Sequence, residues 1–232
     1  MDLFIRRVTT LDLKVEPCAW PFAQHKRAEI DAHFAEKRRE KPKLWNGRVL
    51  LGCNPSFEGQ RFSARYFETD FASFLAWRDL GFPDASVFNG FGMGALRSSD
   101  GAFILGEMAP HTANAGRIYF PSGTPDPDDI SGDTLDIAAS VTRETAEETG
   151  LTAADYTAST HWHCIGVGAS IAMIRLLDIA MSADAARKKI EANLARQMQP
   201  ELSAIHIVRS RRDLNAQMPR FVTAFIAQEM AS

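Results

Sequence analysis

Three acidic side chains, Glu144, Glu147 and Glu148, fall inside the run Arg143-Glu144-Thr145-Ala146-Glu147-Glu148-Thr149-Gly150-Leu151. On a helix this spacing sets all three carboxylates within an arc of roughly 100°. Like charges so crowded repel by about 0.2–0.5 kcal/mol per pair unless something positive compensates. Arg143 can neutralise or orient one of them, but not three. A hard divalent cation can do more. Mg²⁺ or Mn²⁺ takes carboxylate and water oxygens and keeps positions open for phosphate oxygens. The chemistry this suggests is metal-assisted attack of water on a phosphoric anhydride. The plain alternative is a solvated acidic helix face.

Acids with such a task need a rigid mount. A helix is expected over about Asp133–Thr149, with Ile137, Ala138, Val141 and Thr145 on the face that packs on a sheet, and Gly150 as its stop. Strands are expected at Thr10–Glu16, Arg48–Cys53, Arg61–Phe67, Gly92–Arg97, Ala102–Met108, Arg117–Phe120, Thr157–Val167, Ser170–Ile179 and Ala204–Val208. Further helices are expected at His25–Lys41, Asp70–Leu80, Ala183–Met198 and Pro219–Met230. Asn54-Pro55-Ser56 reads as a turn, and Gly81-Phe82-Pro83-Asp84 as a seam in the chain. Strands mixed with helices in this way indicate an α/β or α+β fold. The division expected is an extension over residues 1–86, packing on or contributing to the core, and a main domain over 87–232.

The acidic run, with its neighbouring Arg and its terminating Gly-Leu, resembles the Nudix signature. The core of that signature is Arg-Glu, an apolar residue or Thr, any residue, Glu-Glu, any residue, Gly and an aliphatic. Residues 143–151 match every specified position. The family pattern opens with Gly, five residues and Glu, that Glu lying eight places before the Arg; here the position is Leu135. The opening glycine corresponds to Gly123 in Phe120-Pro121-Ser122-Gly123, so the loop Thr124–Gly132 is longer than the family's. Asp133 or Asp136 can replace the missing acid or cap the helix, and capping is the reading preferred.

The resemblance implies a Nudix-type α/β/α sandwich with a mixed sheet. It also implies a Mg²⁺- or Mn²⁺-dependent pyrophosphohydrolase acting on a nucleoside diphosphate linked to another moiety. Glu144, Glu147 and Glu148 would hold the metal, with Arg143 orienting them. The general base could be one of these glutamates or an acid outside the run. Short phrases such as Ala64-Arg65-Tyr66-Phe67-Glu68 and Gly92-Met93-Gly94-Ala95-Leu96 are similar to a branch that cleaves UDP-sugars. Arg97, Arg117 and Gly123 are the candidate substrate contacts. The alternative is a Nudix-like module that binds or regulates without catalysis.

Composition narrows the rest. At 45% hydrophobic and 24% charged, the 232 residues suit one sizeable ordered domain rather than a disordered chain. A net charge of -3 gives no support to a nucleic-acid partner. The most apolar stretch, about Ile165–Met181, is broken by Arg175 and Asp178, so neither a membrane span nor a membrane partner is expected. Cys18, Cys53 and Cys164 form no CxxC pair and read as reduced thiols, which with the absence of a signal-like start suggests the cytoplasm. A homodimer is allowed, and the partner expected is a small nucleotide. The glycines of Gly90-Phe91-Gly92-Met93-Gly94 read as backbone accommodation beside a strand, not as a phosphate loop. His161 and His163 read as strand packing or substrate contact rather than half of a zinc site.

Overall fold

The computed structural model describes residues 3–231. Its elements in order are β1 (Phe4–Val8), β2 (Thr10–Val15), α1 (Pro21–His25), α2 (Arg27–Glu40), β3 (Arg48–Glu58), β4 (Arg61–Asp70), α3 (Phe71–Asp79), β5 (Val87–Arg97), β6 (Phe103–Met108) and β7 (Ile118–Tyr119). There follow β8 (Ile130–Ser131), β9 (Thr134–Leu135), α4 (Ile137–Thr149), β10 (Tyr156–Val167), β11 (Ser170–Ile179), α5 (Ala183–Leu194), β12 (Leu202–Val208) and α6 (Arg220–Glu229).

The strands join in the order β1-β10-β11-β5-β3-β4-β2-β9-β8, with β6 carrying β12 and β7 beside this path. The sheet is mixed: β11–β5 and β2–β4 run parallel, while β10–β11, β3–β4 and β6–β12 run antiparallel. β5 is the hinge of the whole arrangement. Its start pairs with β3 (Cys53↔Val87), its body with β11, and its end with β6 (Arg97↔Phe103).

Alternation along β5 sorts the helices. Gly92 and Gly94 point at α4, where a Cβ on either would strike Ile137, Val141 or Thr145. Phe91, on the opposite side, meets Phe221 of α6 with ring centroids 5.5 Å apart. Helices therefore cover both faces of β5. The glycine run is close-packing backbone, as its spacing suggests. The main core runs from β5 and β11 outward; a second cluster gathers Trp20, Val49, Leu51, Phe67 and Trp77 beneath α3.

Several elements differ from expectation. β1 was not expected, since Arg6 and Arg7 interrupt its apolar pattern, yet it pairs with β10 from Phe4↔Gly166 to Val8↔Trp162. β3 continues through Asn54-Pro55-Ser56, which forms a bulge between Cys53 and Ser56 rather than a turn. Asn54 accepts the left-handed backbone (φ 52°) this requires. α4 starts only after Asp136, because Ile130–Ser131 and Thr134–Leu135 pair around Gly132 and bury Leu135 at 3% exposure. Strand pairing crosses position 86 at β1–β10 and at β3–β5. No helix among the described residues is long and apolar enough to cross a membrane.

Candidate active site

α4 is fixed at both ends. The Asp136 carboxylate accepts from the Ala139 N–H (2.9 Å), and Gly150 closes the helix in the left-handed conformation (φ 73°). Asp136 is thus a cap. Asp133 pairs with Lys14 (3.1 Å) and stays away from the glutamates' partner Arg143. With Ile137, Val141 and Thr145 pressed on β5, the helix turns Glu144 and Glu148 toward the Phe120–Gly123 segment. That segment is itself tied to β5 by the Gly94 N–H, which donates to the Pro121 carbonyl (3.0 Å).

The three carboxylates meet different surroundings. Glu148 is 5% exposed, and its Oε1 has no hydrogen-bond partner. Burial pushes its carboxyl well above the usual range; the charges of Glu144, Glu201 and Glu147 add to this, and the Ser122 backbone N–H offsets part of it. Glu144 is raised to about 7 by burial, with Glu147, Glu201 and Asp129 contributing and Arg143 opposing. Its carboxylate lies so close to Gly123 that any Cβ there would overlap it. Glu147, with 61% of its side chain exposed, sits at the solvent edge.

Arg143 links this set. Its guanidinium reaches Glu144 Oε1 (2.9 Å), Glu147 Oε2 (3.4 Å) and Asp129 Oδ1 (2.9 Å). Burial disfavours its charge, but the Asp129 hydrogen bond and the three carboxylates outweigh that and hold it firmly protonated. Asp129 is the acid that the sequence reading missed. It lies in a short 3₁₀ turn, Pro127–Asp129, with its side chain only 2% exposed. The loop carrying it is clasped by the N-terminal strands: Leu50 N–H donates to the Pro125 carbonyl (2.7 Å) and Val15 N–H to the Asp133 carbonyl (2.8 Å). Glu201, just before β12, is a second unanticipated acid; its charge acts on both Glu144 and Glu148.

Beside these acids lies a cavity of about 570 Å³, bordered by Ser122, Gly123 and Thr124. Arg78, Arg117 and Arg220 line it together with Phe71, Phe74, Phe82, Phe91, Tyr119 and Phe221; none of its lining residues is acidic. Tyr119 connects cavity and acids. Burial raises its phenol, Asn114 donates to it (3.2 Å), and the charges of Glu148, Glu201 and Glu144 raise it further. Arg117 donates to the Ala216 carbonyl (3.5 Å).

Of the expected substrate contacts, Arg117 and Gly123 border this cavity, and Arg97 does not. Arg97 ends β5 directly beside Asp178 of β11 and is bound to it at 2.7 and 3.1 Å, with Glu229 at 3.7 Å. This cross-strand ion pair lines a separate pocket of about 380 Å³. Arg78 and Arg220 were not anticipated, because α3 and the start of α6 reach the cavity only through the tertiary fold.

A hard cation fits these residues. Glu148 has an unpartnered buried carboxyl oxygen and burial raises Glu144 to about 7, so the charged forms of both, which Arg143 alone does not stabilise, would gain from a cation. Among the described residues, no three His, Cys, Asp or Glu side chains are placed to hold a metal ion together. Mg²⁺ does not need three, since it is commonly held by one or two carboxylates and completes its shell with water and phosphate.

No protein-family model and no curated protein matches the chain. Solved structures do. The MutT protein from Methanosarcina mazei Go1 is 18% identical with a TM-score of 0.39, over 62% of this chain and 94% of that one. The Nudix hydrolase RenU from M. Smegmatis is 14% identical with a TM-score of 0.39, over 61% and 82%. A bifunctional NMN adenylyltransferase/ADP ribose pyrophosphatase from Francisella tularensis is 12% identical with a TM-score of 0.42, over 68% and 45%. At these values the likeness carries no weight for chemistry, and the family resemblance rests on Arg143, the three glutamates and Gly150-Leu151.

Proposed function

We propose that this chain is a Nudix-type, Mg²⁺- or Mn²⁺-dependent pyrophosphohydrolase that cleaves the diphosphate of a nucleoside diphosphate linked to another moiety. The observation that carries the reading is one juxtaposition. Two inward-turned glutamates of α4 touch the Ser122-Gly123 segment, and the same segment borders a cavity with three arginines, six aromatic rings and no acid. Guanidinium groups suit phosphate oxygens, and the rings suit a planar base. A nucleotide-sugar is one guest of this class.

Glu144 and Glu148 would hold the cation, with Glu147 completing the set from the solvent edge. When bound there, such a cation would supply positive charge to the diphosphate and lower the pKa of a bound water. The chain's own residues do the rest. Asp129 fixes Arg143, and Arg143 aligns Glu144 and Glu147. Arg117 and Arg220 receive phosphate charge, while the rings exclude water from the leaving group. The proton of the attacking water passes to a carboxylate of the acid cluster, in which Glu201 and Asp129 lie outside α4.

The exposure of Glu147 and its tie to Arg143 favour a second reading, a binding module without turnover. One assay separates the two. Nucleotide-sugars, dinucleotides and coenzyme A esters are incubated with and without Mg²⁺, using wild type and Glu147→Gln. Cation-dependent release of a nucleoside monophosphate, lost in the variant, supports hydrolysis. Equal and negligible turnover by both proteins, with ligand binding retained, supports the module.

A further inference from the structure

Cys53 and the stretch of chain that carries Cys18 both flank β4, the one on β3 and the other just after β2. Cys53 lies on β3 opposite Arg65 of β4 and is 6% exposed. Beyond β2 the chain crosses over β4. The Glu16 N–H donates to the Tyr66 carbonyl (2.9 Å), and the Glu16 carboxylate lies 3.4 Å from Arg65. Trp20 then enters the apolar cluster that contains Cys53, Val49 and Leu51. Cys18 falls between these two anchors and is exposed. Residues 16–20 thus cross the face of β3 and β4 that carries Cys53 and Arg65, with Cys18 between the two anchors. Cys164 is buried in the other cluster, and the proposed hydrolysis uses none of the three thiols.

We propose that Cys18 and Cys53 are an oxidative modification site, converted reversibly to an intramolecular disulfide by a low-molecular-mass disulfide. Cys18 is the point of entry because it alone of the pair is open to solvent. Its thiolate attacks one sulfur of the small disulfide, forming a mixed disulfide and expelling one small thiolate. The Cys53 thiolate then attacks Sγ of Cys18, forms the protein S–S bond and expels the second small thiolate. Two protein thiols are oxidised, one small disulfide is reduced to two thiols, and the two thiol protons end on those leaving groups. Burial raises the Cys53 thiol, so the second step quickens with alkaline pH. The closed loop encloses α1, α2 and the start of β3, and the bond staples that segment to the sheet.

The test treats the full chain with oxidised glutathione at pH 8, alkylates free thiols, and maps peptides by mass spectrometry without reduction. The expected product joins Cys18 to Cys53, leaves Cys164 alkylated, and reverts with dithiothreitol. Its Tm rises by on the order of 10 °C, as expected for a cross-link closing a loop of this length. Cys18→Ser abolishes both effects, and it alters only an exposed side chain. Cys53→Ala leaves glutathione on Cys18. Wild type that keeps glutathione on Cys18, forms dimers through Cys18, or shows all three cysteines alkylated overturns the proposal.

Discussion

The surroundings of Glu148 disfavour its charge, since it is buried with an unpartnered oxygen and feels three other acids. Replacing a costly buried carboxylate by its neutral isostere removes repulsion. Glu148→Gln should therefore leave cation-free stability unchanged or higher while lowering kcat on the order of 10²–10⁴-fold. Parallel urea titrations and steady-state assays check both halves; a variant that unfolds would make the acid structural. Asp129→Asn tests the support of the set. Arg143 keeps Glu144 and Glu147 but loses its most buried partner, so the expected cost is about 1–3 kcal/mol of stability with a roughly tenfold fall in kcat. The glutamates were legible because helical spacing is a local property. Asp129 was not, for its partner lies fourteen residues away across a loop whose path the N-terminal strands decide. Arg97 misled for a related reason: a strand-end arginine goes to the nearest acid on the adjoining strand, and sequence alone does not tell which strand adjoins.

Among the elements, α4 and β5 set the precision of the site. Gly92 has no room for a methyl group beneath Ile137 and Val141. Gly92→Ala should push α4 outward, cost about 1–3 kcal/mol and reduce kcat, because Glu144 and Glu148 move with their helix. Denaturant midpoints and kinetics on the one variant test this; unchanged activity with lowered stability would show that the helix returns to place. The glycine run disclosed this contact in advance through its residue types. The start of α4 was less readable: Asp133 and Asp136 are both plausible caps, and only the burial of extended Leu135 decides between them. β1 escaped notice because two consecutive exposed arginines, one on each face, break the alternation of this edge strand.

For the molecule as a whole, pH acts through buried groups in opposite directions. Burial, then the charges of His161 and Arg7, depress His163 to about 4, outweighing the Glu229 carboxylate 3.4 Å away. The unfolded chain takes up that proton near 6.5 and the native chain does not. Stability should thus fall as pH drops from about 6.5 to about 4, by at most about 3 kcal/mol from this residue. His163→Gln should flatten that limb in urea titrations. Glu144 works the other way, since a native carboxyl raised to about 7 loses its stabilising proton as pH rises through neutrality. Added Mg²⁺ should accordingly raise Tm more at pH 8 than at pH 6, which calorimetry can measure. The mixed fold class was readable from alternating patterns; the continuity of strand pairing across position 86 was not, because it depends on partners far apart in the chain. The fastening of the acid loop has one more implication. Its ties to β2 and β3 are mainly main-chain bonds, with the Lys14–Asp133 pair adding a side-chain contact. Much of the N-terminal surface is therefore free to drift in sequence without disturbing Asp129, whereas excising residues 1–86 would unbuckle Arg143 as well as strip Arg78 and three rings from the cavity.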